Sequence, residues 1–181
     1  MAAFTVIDHT EVGAGGVASW GEAAIPSSYD HLLLVMSNRT VTNYTTDDLK
    51  LRVGNGSIDT GSNYSHTRMY ATGTTVASTR QTNQDAIRYI YTSGNAASST
   101  ANTFASIKVW IPNYANTTGF KPVLISVGKE NASTASVGWY VSVQAGLWQS
   151  TSAITDIEVS AAAGQDTGEY STFTLYGVTG A

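Results

Sequence analysis

The residues of this chain that are most able to do chemistry are few and stand apart. Gly13-Ala14-Gly15-Gly16-Val17-Ala18 follows a strand-like stretch and mimics a dinucleotide-binding turn. Such a turn must open a helix whose N-terminus holds pyrophosphate. Trp20, Gly21 and Pro26 come too soon for that helix, so the stretch reads as a plain turn. His9, His31 and His66 lie far apart and show no metal-ligand spacing. Asp47-Asp48 and Asp59 fall in polar stretches read as solvated loops, without the spacing of a calcium-binding loop. Serines are abundant, yet no Gly-x-Ser-x-Gly elbow occurs. The absence of cysteine removes thiolate nucleophiles, thiolate zinc sites and disulfides. Paired carboxylates for glycoside hydrolysis need only meet in space, but acids are scarce here. No catalytic residue, metal or cofactor is expected, and no enzymatic activity.

The aromatic residues are better suited to binding than the polar ones are to catalysis. Trp110 shares a strand face with Ser106 and Lys108. Tyr140 falls opposite Trp139 on its strand, and Trp148 joins Tyr140 unless a bulge at Gly146 shifts the register. Lys108, Trp110, Tyr140 and Trp148 are therefore the candidate partner-binding residues, able to stack on a sugar or to anchor a protein partner. The competing outcome is that a loop of this same chain covers them, since burial is the usual fate of Trp.

Strands must position these residues. Pro26 and the Ser27-Ser28 pair mark a turn. Leu32 to Met36, the longest strongly apolar run, follows it. Side chains of a strand alternate between two faces, and here both faces are apolar, so a central strand covered on both sides is expected over residues 31–41. Further strands are expected over 4–10, 17–23 (beside the first), 49–53, 76–79, 87–91, 104–111, 122–127, 137–148, 154–160 and 171–178. Residues 57–73 are the least regular, and 92–102 and 161–170 read as loops. Alternation places Leu33, Val35, Ile107, Val109, Trp139, Val141, Phe173 and Leu175 inside, with Val137 and Val143 beside Trp139. Roughly ten strands and no long amphipathic helix predict an all-β, antiparallel, jelly-roll-like sandwich. With 181 residues, no repeat and no linker, one domain is expected over 1–181.

Composition narrows the partners. Charged residues make up 12% of the chain, about half of the usual ~25%. Ser, Thr, Asn and Gly must then cover much of the surface, and such a surface is easy to bury because little charge needs desolvating. A net charge of −4 without any Lys/Arg cluster predicts no nucleic-acid partner. No run approaches the about 20 apolar residues of a membrane helix, so no membrane partner is expected. The opening residues lack a basic stretch and reach Asp8 too soon for a secretory signal.

Several segments resemble one group of proteins. Ile25-Pro26-Ser27-Ser28-Tyr29-Asp30-His31-Leu32 resembles the Ile-Pro-x-x-Tyr-x-x-Leu lead-in to the core strand of tailed-bacteriophage virion proteins. Gly61-Ser62-Asn63-Tyr64 is similar to their Gly-x-Asn-Tyr loop, and Ile111-Pro112-Asn113-Tyr114-Ala115 with Lys121-Pro122 to the segment before their long hairpin. Ile154-Thr155-Asp156-Ile157 and Ser171-Thr172-Phe173-Thr174-Leu175-Tyr176-Gly177-Val178 resemble their closing strands. The resemblance implies a jelly-roll-like structural component made in the host cytoplasm and placed in the virion. Two roles follow as expectations. The first is a capsid cement or decoration protein on the capsid surface, a homotrimer binding major capsid protein across subunit joints. The second is a tail or fibre module that recognises host-surface glycans.

Overall fold

The computed structural model describes residues 3–44, 46–93, 100–131 and 139–180. Among them are twelve strands, where about ten were expected, and no helix. They are β1 (Ala3–Glu11), β2 (Ser19–Glu22), β3 (His31–Asn38), β4 (Thr46–Gly54), β5 (Tyr64–Thr72) and β6 (Thr75–Gln84). The second half holds β7 (Ile87–Ser93), β8 (Ala105–Pro112), β9 (Lys121–Lys129), β10 (Tyr140–Trp148), β11 (Asp156–Ala161) and β12 (Thr172–Thr179). Eight strands form one sheet in the order β1-β12-β3-β8-β9-β10-β5-β6, and four form a second in the order β2-β11-β4-β7. All pairings are antiparallel, and the two sheets make a β-sandwich.

The core lies between the sheets. The large sheet contributes Leu32, Leu34, Met36, Ile107, Val109, Ile111, Phe173 and Leu175, and the small sheet Leu49, Leu51, Val53, Ile157 and Val159. The ring of Trp20 on β2 stacks flat on Phe173 of β12 at 5.2 Å, which ties one sheet to the other. Tyr64 is fully buried; its hydroxyl donates to Val53 O and accepts from Val53 N. It thereby pins the start of β5 to β4.

Four expectations are corrected. β3 is central in its sheet, but only one of its faces is covered: Leu32, Leu34 and Met36 point inward, Leu33 is half-buried and Val35 exposed. β10 is turned over: Val141 and Val143 face solvent, while Tyr140, Ser142, Gln144 and Trp148 face inward. Trp139 lies just before β10 and is half-buried, and Val137 is outside the described residues, as is most of the expected 92–102 loop. β2 pairs with β11 in the small sheet and not with β1. Gly146 makes no bulge, since the register of β10 runs unbroken against both β9 and β5. A Cβ there would stand 2.5 Å from Ile87 Cδ1 of the opposing sheet, so Gly146 marks a close approach between the layers.

Candidate functional site

The two faces of the large sheet differ in chemistry. Its outer face is not covered by any described part of the chain. One row across it runs through Tyr176, Leu33, Trp110 and Leu124 on β12, β3, β8 and β9. The next runs through Val35, Lys108, Ser126, Val143 and Met69 on β3, β8, β9, β10 and β5. A third places Val141 beside Ala71 and Val76. Met69 is 61% exposed, Val141 57% and Leu124 47%. Met69, Val76, Val141 and Val143 border a shallow apolar groove of about 140 Å³. The cationic side chains of these rows are Lys108 and, opposite Thr67 on β6, Arg80. The third row runs on through Gly128, Ser106, Ser37 and Thr172 to an exposed carboxylate, Glu11, at the β1 edge of the face. An exposed apolar patch of this kind, continuous across several strands, marks an interaction surface.

Trp110 and Lys108 sit on this outer face, as the alternation predicts. Lys108 is exposed, and Trp110 is half-buried against the His31 ring at 4.9 Å. The His31 ring is itself fixed, because its Nδ1 accepts the Asn113 backbone N–H at 3.1 Å. Tyr140 and Trp148 are corrected: both belong to the interior and are not brought together with Trp110. Trp148 donates from Nε1 to the Asp59 carboxylate at 2.8 Å. Burial pushes the Asp59 carboxyl up, but the bonds from Trp148, Asn63 and the Gly61 N–H outweigh it and hold the pKa below the usual carboxylate value.

Tyr140 belongs to a buried polar cluster beneath β5 and β10. Arg68 is only 4% exposed, and its guanidinium stands over the rings of Tyr70, Tyr89, Tyr91 and Tyr140 at 4.3–5.7 Å. Such a box stabilises a cation through the negative faces of the rings. Asp48 supplies the opposing charge; burial pushes its pKa up to about 6, while Arg68 pulls it down and Asp47 pushes it further up. Asp47 and Asp48 thus lie on β4 and are not in the solvated loop expected for them. His66, beside this group, is buried with both ring nitrogens unpartnered, and burial together with Arg68 and Arg88 pulls its pKa down to about 4. The signal that was missed is the alternation of Tyr64, His66 and Arg68, a polar set that faces inward.

Among the described residues no group of three or more His, Cys, Asp or Glu can hold a metal. Gly13 to Val17 form a turn, with Gly16 N–H bonded to Gly13 O and left-handed backbone at Gly15 and Gly16. What the outer face can do chemically is bind: it offers apolar area, a half-buried Trp and two cations. Comparison with protein-family models, curated proteins and solved structures finds no match to this chain.

Proposed function

We propose that this chain is a virion structural protein of a tailed bacteriophage, a capsid cement protein that docks the outer face of its eight-stranded sheet on the assembled shell. The observation that carries this is the outer face that no described part of the chain covers: apolar across several strands, centred on Trp110, with the Glu11 carboxylate out at its β1 edge. Burying its centre against a partner desolvates Lys108, with Arg80 and Glu11 at opposite edges, and the sign of Lys108 suits an acidic group on the capsid subunits.

Strand order supports the same conclusion. With β5, β6, β9 and β10 set aside, the remaining strands fall into two sheets of four, β1-β12-β3-β8 and β2-β11-β4-β7. That is the pattern of a jelly roll of eight strands, an architecture that capsid proteins use among other classes. The hairpins β5-β6 and β9-β10 widen one of these sheets, and they supply Met69, Val76, Leu124, Val141 and Val143. The insertions thus build most of the docking face. The sequence segments that resemble phage virion proteins point the same way.

The mechanism is linkage. A protein that binds the closed shell and not the loose subunits stabilises the shell by mass action. Three copies around a joint between subunits would repeat the contact and raise its avidity. The test is copy number in purified particles by quantitative mass spectrometry. The cement role predicts a fixed simple ratio to major capsid protein. A small set of copies per particle would contradict it and favour a tail or fibre location.

A further inference from the structure

A cavity of about 360 Å³ opens where four connections between strands meet. It is built from the β1–β2 turn, residues 39–41 after β3, residues 101–104 before β8 and the β11–β12 connection. Function often concentrates where several loops meet on a rigid scaffold. Four positions that line this cavity adopt left-handed backbone: Gly15, Gly16, Asn102 and Tyr170. For a bulky side chain such as Tyr170, with φ of 64°, this is a genuine outlier. Strain of this sort persists only where the surroundings enforce it, and it gathers at ligand-binding sites.

The surroundings do enforce it. Tyr170 N–H donates to Val12 O at 2.8 Å, Gly168 N–H to Arg39 O at 2.6 Å, and Val17 and Thr167 exchange a pair of backbone bonds. Gly16 lies so close to this segment that a Cβ would meet Thr167 O at 2.6 Å, whereas a Cβ on Gly15 would meet nothing. The strained position presents the Tyr170 ring 63% exposed at the cavity, with Glu169 beside it on the same lining. Asn102 stands on the wall, as does Arg39, whose Nη1 is clamped by Thr100 O and Thr103 O at 3.0 and 2.9 Å. An open aromatic ring beside a planar amide, a carboxylate and a guanidinium is what a pyranose needs: a platform for its C–H face and fixed partners for its hydroxyls. Both signs of charge line the cavity, which suits an uncharged ligand, and the volume admits one or two sugar rings.

We propose that this cavity binds a neutral saccharide, stacked on Tyr170 and held through its hydroxyls by Asn102 and Glu169, with the clamped Arg39 keeping the wall in place. The site is separate from the docking face and goes beyond the cement role. The test is saturation-transfer NMR on the full chain with glucose, galactose, mannose, rhamnose, N-acetylglucosamine and N-acetylgalactosamine as probes. At least one should receive saturation, with about tenfold or greater loss of affinity in Tyr170→Gly. That variant removes the ring and also relieves the left-handed strain, so its melting temperature should hold or rise while sugar binding falls. Glu169→Gln should weaken the same sugar without unfolding the chain. Absence of transfer to every probe, or transfer unchanged in Tyr170→Gly, overturns the site. Loss of shell attachment in Tyr170→Gly also overturns it, because these loops would then belong to the capsid contact.

Discussion

His66 and Asp48 set the pH response of the buried cluster, and they act in opposite directions. His66 has a folded pKa of about 4 against about 6.5 in an unfolded chain. A group depressed in this way contributes fully above pH 6.5 and loses its contribution as pH falls towards 4, by up to about 3 kcal/mol. Asp48 is raised to about 6 from about 3.9. Its ionised form is a cost above pH 6, and stability is regained as pH falls towards 3.9, again by about 3 kcal/mol. The two terms nearly offset each other in the native protein. His66→Phe removes one of them without losing a hydrogen bond, since neither ring nitrogen has a partner. Urea melts should therefore show the variant gaining on the native chain as pH drops from 6.5 to 4. Equal pH dependence of the two would contradict this account of the cluster.

The two tryptophans that the sequence grouped on one surface separate at the same scale. Trp148 is buried and bonded to Asp59, so Trp148→Ala should cost about 3–5 kcal/mol, as core Trp truncations do. Trp110 stands half-exposed on the outer face, and Trp110→Ala should cost clearly less and leave a cooperative melt. Thermal melts of the pair check the assignment of faces. Equal losses would place Trp110 in the core and remove the centre of the docking face.

At the scale of elements, alternation divides a strand into two sets but does not say which set meets the core. On β8 and β12 alternation places Ile107, Val109, Phe173 and Leu175 inward, as they are. On β3 both sets are apolar, so pattern alone cannot choose, and the inward set is Leu32, Leu34 and Met36. On β10 the rule reverses. Val141 and Val143 face out because the inward positions, Ser142, Gln144 and Gly146, lie against Arg68, His66 and the close-packed β7, where large apolar side chains do not fit. β5 escaped notice for the same reason: its inward set is Tyr64, His66 and Arg68, and its exposed set includes Met69. Of the candidate site, Trp110 and Lys108 were legible, because β8 alternates cleanly. Met69, Val141 and Val143 lie on β5 and β10, whose pattern is inverted, and Leu124 is a lone apolar residue on the outward set of β9. Gly146→Ala tests the packing that causes the inversion. It should destabilise by about 1–3 kcal/mol through overpacking against Ile87, with part of the loss restored by Ile87→Val. A neutral effect would mean that the layers are not in close contact there.

At the scale of the whole molecule, the larger sheet has one face that no described residue covers, and the core fills the other side. Two of the strands that extend this sheet, β5 and β10, carry mostly polar side chains inward and Met69, Val141 and Val143 outward, the opposite of what a sandwich needs for its own stability. We take this inversion to be the mark of a face built for a partner, and the partner proposed is the capsid shell. Val143 lies in the second row of that face, 48% exposed, and takes no part in the core. The most direct measurement is a co-sedimentation isotherm of native protein and of Val143→Glu on cognate capsids that lack the protein. The native chain should saturate the shells, and the folded variant should bind about thirtyfold or more weakly, as loss of a central contact commonly brings. A Val143→Glu chain that melts as the native one does and binds shells equally well would contradict the docking face.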